Sequence, residues 1–252
     1  MIASSPFSAG WRGELPRIVI DEIVTRALAE DLAGGDVTTE ACIDADATSV
    51  ALAVARKELV VAGLVVAERA FHLVDPGLHV ELLAADGALA PAGTALLRAT
   101  GSSRSLLMAE RVALNFMQRM SGVATLTRRY VSAITAGAAT RVTDTRKTTP
   151  GLRAFERYAV RCGGGKNHRD NLGSAILIKD NHIAACGGVA NAIARAKARS
   201  PKAAKAPRRR GRSSRPRSPR PSPAMTPTTA PSSASSRSAA WCCIAAATKA
   251  ST

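Results

Sequence analysis

The chain has 252 residues and a formal charge of +16, from 35 Lys and Arg against 19 Asp and Glu. That length holds one large or two ordinary domains, and the charge taken whole suggests a nucleic-acid binder. Its distribution argues otherwise: residues 201–252 hold 11 Lys and Arg and no acid, which leaves 24 bases and 19 acids, a net of +5, in residues 1–200. That balance is ordinary for a soluble enzyme with anionic substrates. Five scattered cysteines (Cys42, Cys162, Cys186, Cys242, Cys243) show no metal-ligand spacing and fit a reducing compartment. No apolar run reaches the roughly 18 residues of a membrane span. The N-terminus has no Lys/Arg-headed apolar segment, so cytoplasm is the expected location.

In chain order, residues 1–17 read as a loose lead-in of Ser, Pro and Gly. From Ile18, IVIDEIVTRALAEDL spaces its apolar residues as a helix that Gly34-Gly35 stops. TSVALAVARK alternates as a strand, and GLVVAERAFHLV follows as a helix. LHVELLA and TALLRAT, on either side of the turn-rich DGALAPAG, read as two more strands. Residues 18–112 thus make a first α/β domain. Residues 103–119 and 122–136 read as two helices broken at Ser121-Gly122. A strand (RVTDT), a helix (152–161), a loop, a strand (AILIK) and a helix (188–199) come next. This alternation of parallel βα units gives a second domain over 113–200. Residues 201–252 contain eight of the thirteen prolines and no acids. They are expected to be a disordered basic Pro/Ser/Arg/Ala tail. Their bias is that of a GC-rich gene read out of frame, so a frameshift near codon 200 is expected.

The chemistry concentrates in residues 141–182. RVTDT delivers Arg146 and Lys147 to an expected strand end; Gly163-Gly164-Gly165 lead into Asn167-His168-Arg169; AILI ends in Lys179. Ligands of α/β folds bind at strand C-termini and the loops beyond them, and this much convergent positive charge suits a small polyanion. Taken singly, each residue also has a plain reading. Arg146 and Lys147 pass as a solvated strand-end pair, His168 as a loop residue, and Lys179 as a lysine snorkelling to solvent. Arg111 passes as a helix-surface arginine and Lys166 as surface. Asp180 and His182 read as local hydrogen-bonding partners, and no metal ligand is assigned. The glycines let backbone approach an anion closely.

DTRKTTPGLR, YAVRCGGGKNHR and LIKDNH, with ERVALNFMQRMSGVAT at 110–125 and DLAGGDVTTE at 31–40, resemble the quinolinate phosphoribosyltransferase family. Its other name is nicotinate-nucleotide pyrophosphorylase (carboxylating). The resemblance runs from roughly residue 18 to residue 200. It implies an N-terminal α/β sandwich domain and an open α/β barrel, truncated here, with two barrel strands visible. By this resemblance Arg146 grips quinolinate, Lys147 contacts phosphoribosyl pyrophosphate, and Thr145 lies beside them. His168 and Arg169 line the quinolinate pocket, and Lys179 meets a quinolinate carboxylate. Lys147 and Lys179 are the implied catalytic residues, and Arg111 reaches into the partner's site of a homodimer with shared active sites.

The implied reaction belongs to NAD biosynthesis. The pyridine nitrogen attacks C1 of the ribose as pyrophosphate leaves, neutralised by Mg²⁺ and Lys147. Loss of the 2-carboxylate as CO₂ then gives nicotinate mononucleotide. The family brings a Glu and an Asp to ribose and metal from later strands, and residues 201–252 have neither. Two other readings stand beside this one. One is the molybdenum-transport-associated homologue, with another pyridine or carboxylate substrate. The other is a non-catalytic protein whose basic tail binds nucleic acid through phosphate contacts. The set Arg111, Arg146, His168, Arg169 and Lys179 favours quinolinate.

Overall fold

The computed structural model describes residues 14–200 and the pair Cys243–Ile244. The expected lead-in and tail therefore lie almost entirely outside the described residues. The chain divides into two compact units between Asp170 and Asn171.

In the first unit, α1 (Arg17–Asp31) buries Ile20, Ile23, Val24 and Leu28, the 3–4 spacing of a one-faced helix. A second helix, α2 (Val37–Cys42), has no counterpart in the sequence reading. Its local cause is a cap: Asp36 accepts from Thr39 N–H (3.0 Å) and Thr39 Oγ1 (2.5 Å). Such a cap contributes about 1 kcal/mol. The strands read from alternation fall where expected, as β1 (Thr48–Val54), β3 (His79–Leu82) and β5 (Ala95–Ser102). With β6 (Cys243–Ile244) they form an antiparallel sheet in the order β3-β5-β1-β6. A separate pair, β2 (Leu59–Val60) with β4 (Leu89–Ala90), is too short for alternation to reveal.

The helix α3 (Leu64–Val74) starts after Gly63, whose φ of 98° is left-handed. A Cβ at Gly63 would lie 2.8 Å from Met120 Sδ, so a glycine serves both the turn and the close approach. α3 buries Leu64, Val66, Ala67, Ala70 and Phe71 and packs on the long helix α4 (Ser103–Ser132).

α4 corrects one expectation. It runs unbroken for 30 residues through Ser121-Gly122. A glycine inside a helix costs only about 1 kcal/mol relative to alanine, and here tertiary bonds offset it. Ser121 Oγ accepts from Ala62 N–H (3.0 Å) and donates to Ala62 O (3.1 Å), while Thr125 Oγ1 accepts from Val60 N–H (2.9 Å). These hydroxyls satisfy the backbone around β2 and hold α4 against it.

α5 (Arg153–Cys162) buries Phe155, Tyr158, Ala159 and Cys162. Phe155 meets Phe116 of α4 edge-on, with ring centroids 5.2 Å apart.

Neither expected barrel strand forms. RVTDT makes one parallel bridge, Thr143 with Lys166, through Lys166 N–H to Val142 O (2.9 Å) and Asp144 N–H to Lys166 O (3.0 Å). AILIK has no ladder partner among the described residues, and Ile176 and Leu177 are 60% and 41% exposed. A parallel strand requires neighbours for its backbone groups and cover on both faces. Strand propensity alone supplies neither.

Unit 2 contains α6 (Asp180–Cys186), ended by Gly187 at φ 73°, and α7 (Val189–Arg199). α6 is a further helix the sequence reading lacks. At its start His182 Nδ1 accepts from Lys179 N–H (3.0 Å). No helix among the described residues is long and apolar enough to cross a membrane.

Candidate functional site

The candidate site is built on the α4–α5 pair. The chain leaves α5 through Gly163-Gly164-Gly165, and two of these glycines are explained by packing. A Cβ at Gly163 would lie 2.4 Å from Ala124 O and 2.6 Å from Thr127 Cβ; one at Gly165 would lie 2.7 Å from Val160 Cγ1. The first requirement here is therefore room for α4, not the close approach of an anion. Gly164 makes the turn itself, at φ 89°.

Beyond the turn the chain meets the segment 142–147 through the Thr143–Lys166 bridge. Exposure alternates along 141–148, with Val142, Asp144, Arg146 and Thr148 half-buried and Thr143, Thr145 and Lys147 exposed. This is the two-faced pattern of extended backbone. On the inner face, Asp144 gathers three donors. Its Oδ2 accepts from Arg157 Nε (2.5 Å) and Asn167 Nδ2 (2.7 Å), and its Oδ1 from His168 N–H (2.7 Å). Arg157 also pairs with Asp170 and donates to His168 O (3.4 Å). Burial presses the Arg157 pKa down, but the hydrogen bonds and charges of Asp144 and Asp170 outweigh this and raise it. Arg157 therefore stays a cation while being only 7% exposed. Asn167 completes the junction by donating to Arg157 O (3.0 Å) and accepting from Arg161 Nη1 (2.5 Å).

Around this junction lie several of the expected site residues. Arg146 has a buried Nε without a hydrogen-bond partner among the described residues; Lys147 is exposed, and its N–H is taken by Thr145 Oγ1 (3.2 Å). His168 is exposed, with both main-chain groups held by Asp144 and Arg157. Arg169 follows it, half-buried. Thr145 and Lys147, but not Arg146, His168 or Arg169, line a cleft of about 350 Å³ against Leu126, Thr127 and Tyr130 of α4. Arg111 lies in a different groove, with Asp36 and Val37 at the start of α2. Its neighbour Glu110 has its pKa raised by burial, an effect that the Arg111 charge opposes. Lys179 lies in unit 2, exposed at the start of α6. Sequence reasoning missed Asp144, Arg157 and Asn167, although Asp144 and Asn167 lie within the quoted motifs and Arg157 directly precedes one. The available signal was an acid, Asp144, two residues before the adjacent cations Arg146 and Lys147.

A second buried polar group braces the other side of α5. Asp86 accepts from Tyr158 OH (2.6 Å) and Leu64 N–H (3.0 Å). Burial raises the Asp86 pKa, and the bonds from Tyr158 and from the Leu64 and Gly63 backbone only partly counter it. Burial and the nearby Asp86 also push the Cys162 thiol up to about 12. Among the described residues no group of three or more His, Cys, Asp and Glu side chains converges on a point.

The fold and the site define an α/β protein that presents a cation-bearing turn and loop, held together by one buried acid. Residues 36–121 match the N-terminal domain, and residues 123–206 the C-terminal domain, of the family described as quinolinate phosphoribosyl transferase. The chain belongs to this family. A relative from Synechocystis sp., named "Probable nicotinate-nucleotide pyrophosphorylase (carboxylating)", is 46% identical over 178 residues, 71% of this chain and 60% of the relative. A chloroplastic nicotinate-nucleotide pyrophosphorylase (carboxylating) of Oryza sativa is 40% identical over 211 residues, 76% of this chain and 56% of the relative. The chain thus spans little more than half the length of these relatives. Among solved structures, NadC from Streptococcus pyogenes superposes with a TM-score of 0.71 at 46% identity, over 75% of this chain and 67% of that one.

Proposed function

We propose that this chain carries the quinolinate-binding part of a quinolinate phosphoribosyl transferase. The family reaction joins quinolinate to phosphoribosyl pyrophosphate and releases nicotinate mononucleotide, pyrophosphate and CO₂ for NAD biosynthesis. The observation that carries the reading is the junction at Asp144, where the Arg146–Lys147 turn and the His168–Arg169 loop meet. Quinolinate bears carboxylates on adjacent ring carbons, and removing each from water costs several kcal/mol. Charge-assisted hydrogen bonds return about 1.5–3 kcal/mol each, so two carboxylates need more than one cation. Arg146 offers a planar fork whose Nε has no partner among the described residues, a geometry suited to a carboxylate. Lys147 is the mobile charge for pyrophosphate oxygens, and Mg²⁺ enters only with that pyrophosphate. Lys179 and Arg111 keep the roles their motifs imply. For Arg111 that means a homodimer with shared sites, located in the cytoplasm.

Calorimetry with the 252-residue protein tests this. Quinolinate should bind about tenfold or more tighter than nicotinate, which lacks the second carboxylate, and Arg146→Ala should cost roughly 2–4 kcal/mol of that binding. Equal affinity for the two acids, or an Arg146→Ala affinity within about threefold of the parent, would sink the proposal. Product formation is a separate arm. Residues 201–252 carry no acid for the ribose and metal roles, so quinolinate capture without measurable nicotinate mononucleotide is expected. Ordinary turnover with phosphoribosyl pyrophosphate and Mg²⁺ would overturn the restriction to one half-site. Mixing inactive Arg111→Ala and Lys179→Ala chains of an active full-length relative would test the shared site; recovery of activity is expected.

A further inference from the structure

We propose that Asp144 is a positioning residue: through its two carboxylate oxygens it sets the separation of the two cation-bearing segments. The inference rests on the quinolinate reading for its ligand, but its geometric content stands without it. Asp144 is 5% exposed at its side chain, in a segment that otherwise faces solvent on alternate residues. Its three donors come from α5 and from the loop after the glycines, and they divide between the two oxygens: Arg157 and Asn167 on Oδ2, His168 N–H on Oδ1. One residue along the chain from Asp144 begins Thr145-Arg146-Lys147; the main chain it grips is that of His168, followed by Arg169.

The backbone alone does not specify this register. Between the two segments it supplies one bridge with two hydrogen bonds. A one-residue slip of an extended segment would send Arg146 to the opposite face. The carboxylate adds the bonds that oppose the slip. Arg157 doubles the grip by donating to His168 O, and Asn167 ties the same corner to α5 through Arg161 and Arg157 O.

An acid placed among cations that must attract an anion would weaken binding by repulsion. The close Arg157–Asp144 pair reduces that penalty: Arg157 shares its charge between Asp144 and the exposed Asp170, and Arg146 and Lys147 add two positive charges along the same segment. The cluster therefore commits one cation, Arg157, to structure. A simple counter-ion role for Asp144 would need only charge near Arg157. Positioning needs the carboxylate at one chain length.

The experiment compares Asp144→Asn, Asp144→Glu and Asn167→Ala in the full chain. Asparagine keeps one acceptor and turns an NH₂ toward donors. Glutamate keeps the charge but moves it by a methylene. Amide hydrogen exchange without ligand reads the geometry. In both Asp144 variants the amides of residues 166–169 should exchange about tenfold faster or more, while those of α3 and α4 keep wild-type protection. Quinolinate affinity should fall by about tenfold or more in both. Wild-type exchange at 166–169 in either variant, or wild-type affinity in Asp144→Glu, would overturn the proposal. Should α4 lose protection in the Asp144 variants, Asn167→Ala decides, because it leaves the Arg157–Asp144 pair intact. Faster exchange confined to 166–169 supports the positioning role; no change refutes it. If the wild-type chain does not bind quinolinate, the functional reading falls, and the exchange data still decide Asp144.

Discussion

Residues 48–132 and residues 141–199 were read from the same kinds of pattern, and the folded protein treats them differently. In the first stretch, Leu96, Leu97 and Ala99 of β5 are at most 1% exposed, because β1 and β3 flank the strand and α4 packs on it. In the second, Leu172 and Ile176 are 72% and 60% exposed, and no strand among the described residues lies beside them. Apolar periodicity states which face a segment would bury. It does not supply what the face is buried against. What order the second stretch has comes from helices and from polar bonds: α5 leans on α4 through Phe155, and the cationic turn is tied down by Asp144.

The contrast can be broken most directly at Phe155. It belongs to the second stretch by sequence but is 2% exposed against α4. Phe155→Ala should cost about 3–5 kcal/mol of unfolding free energy, measured by urea denaturation. A loss under about 1 kcal/mol would place α5 with the loosely held residues.

A smaller effect is expected at Asp86, which joins α5 to the first stretch. Its pKa is raised in the folded protein by burial. The protonated form is therefore favoured on folding. This contribution is complete below the ordinary carboxylate pKa of about 3.9 and is lost as pH rises through the raised value. The stability of wild type relative to Asp86→Asn should accordingly fall as pH climbs from about 3.5 toward neutrality. A difference that grows with pH would reverse the assignment. Tyr158→Phe, which takes away the Asp86 hydroxyl partner, should cost roughly 1–3 kcal/mol at one pH.

The smallest effect sharpens the comparison from the other side. Ile176→Ser removes an apolar side chain that is 60% exposed, and its cost should stay within about 0.5 kcal/mol. The same substitution at Leu97, 1% exposed in β5, should cost several-fold more. Equal costs at the two positions would show that AILI is covered after all.

Much of the first region was legible. Period-3.6 spacing located α1 and α3, and alternation located β1, β3 and β5, since each pattern is long enough to exclude the other. The family motifs singled out Arg146, Lys147, His168 and Arg169 as polar residues beside turns. What fold and site share is that the missing information was always non-local. Ser121-Gly122 reads as a break until Ala62 arrives to bond the Ser121 hydroxyl. The triple glycine reads as an anion loop until Ala124 and Thr127 occupy the space a Cβ would need.

Composition and motif order by themselves determined that this is an α/β protein of a phosphoribosyl transferase family with a cationic segment at 141–182. Those properties follow from residue type and near-neighbour spacing. Only the tertiary structure decided that RVTDT and AILIK are not strands, that α4 is continuous, and that Asp144 holds the turn to the loop. The donors that converge on Asp144 lie 13 to 24 residues away along the chain, and hydrogen bonds and close packing depend on distance in space, which folding sets and spacing in sequence does not.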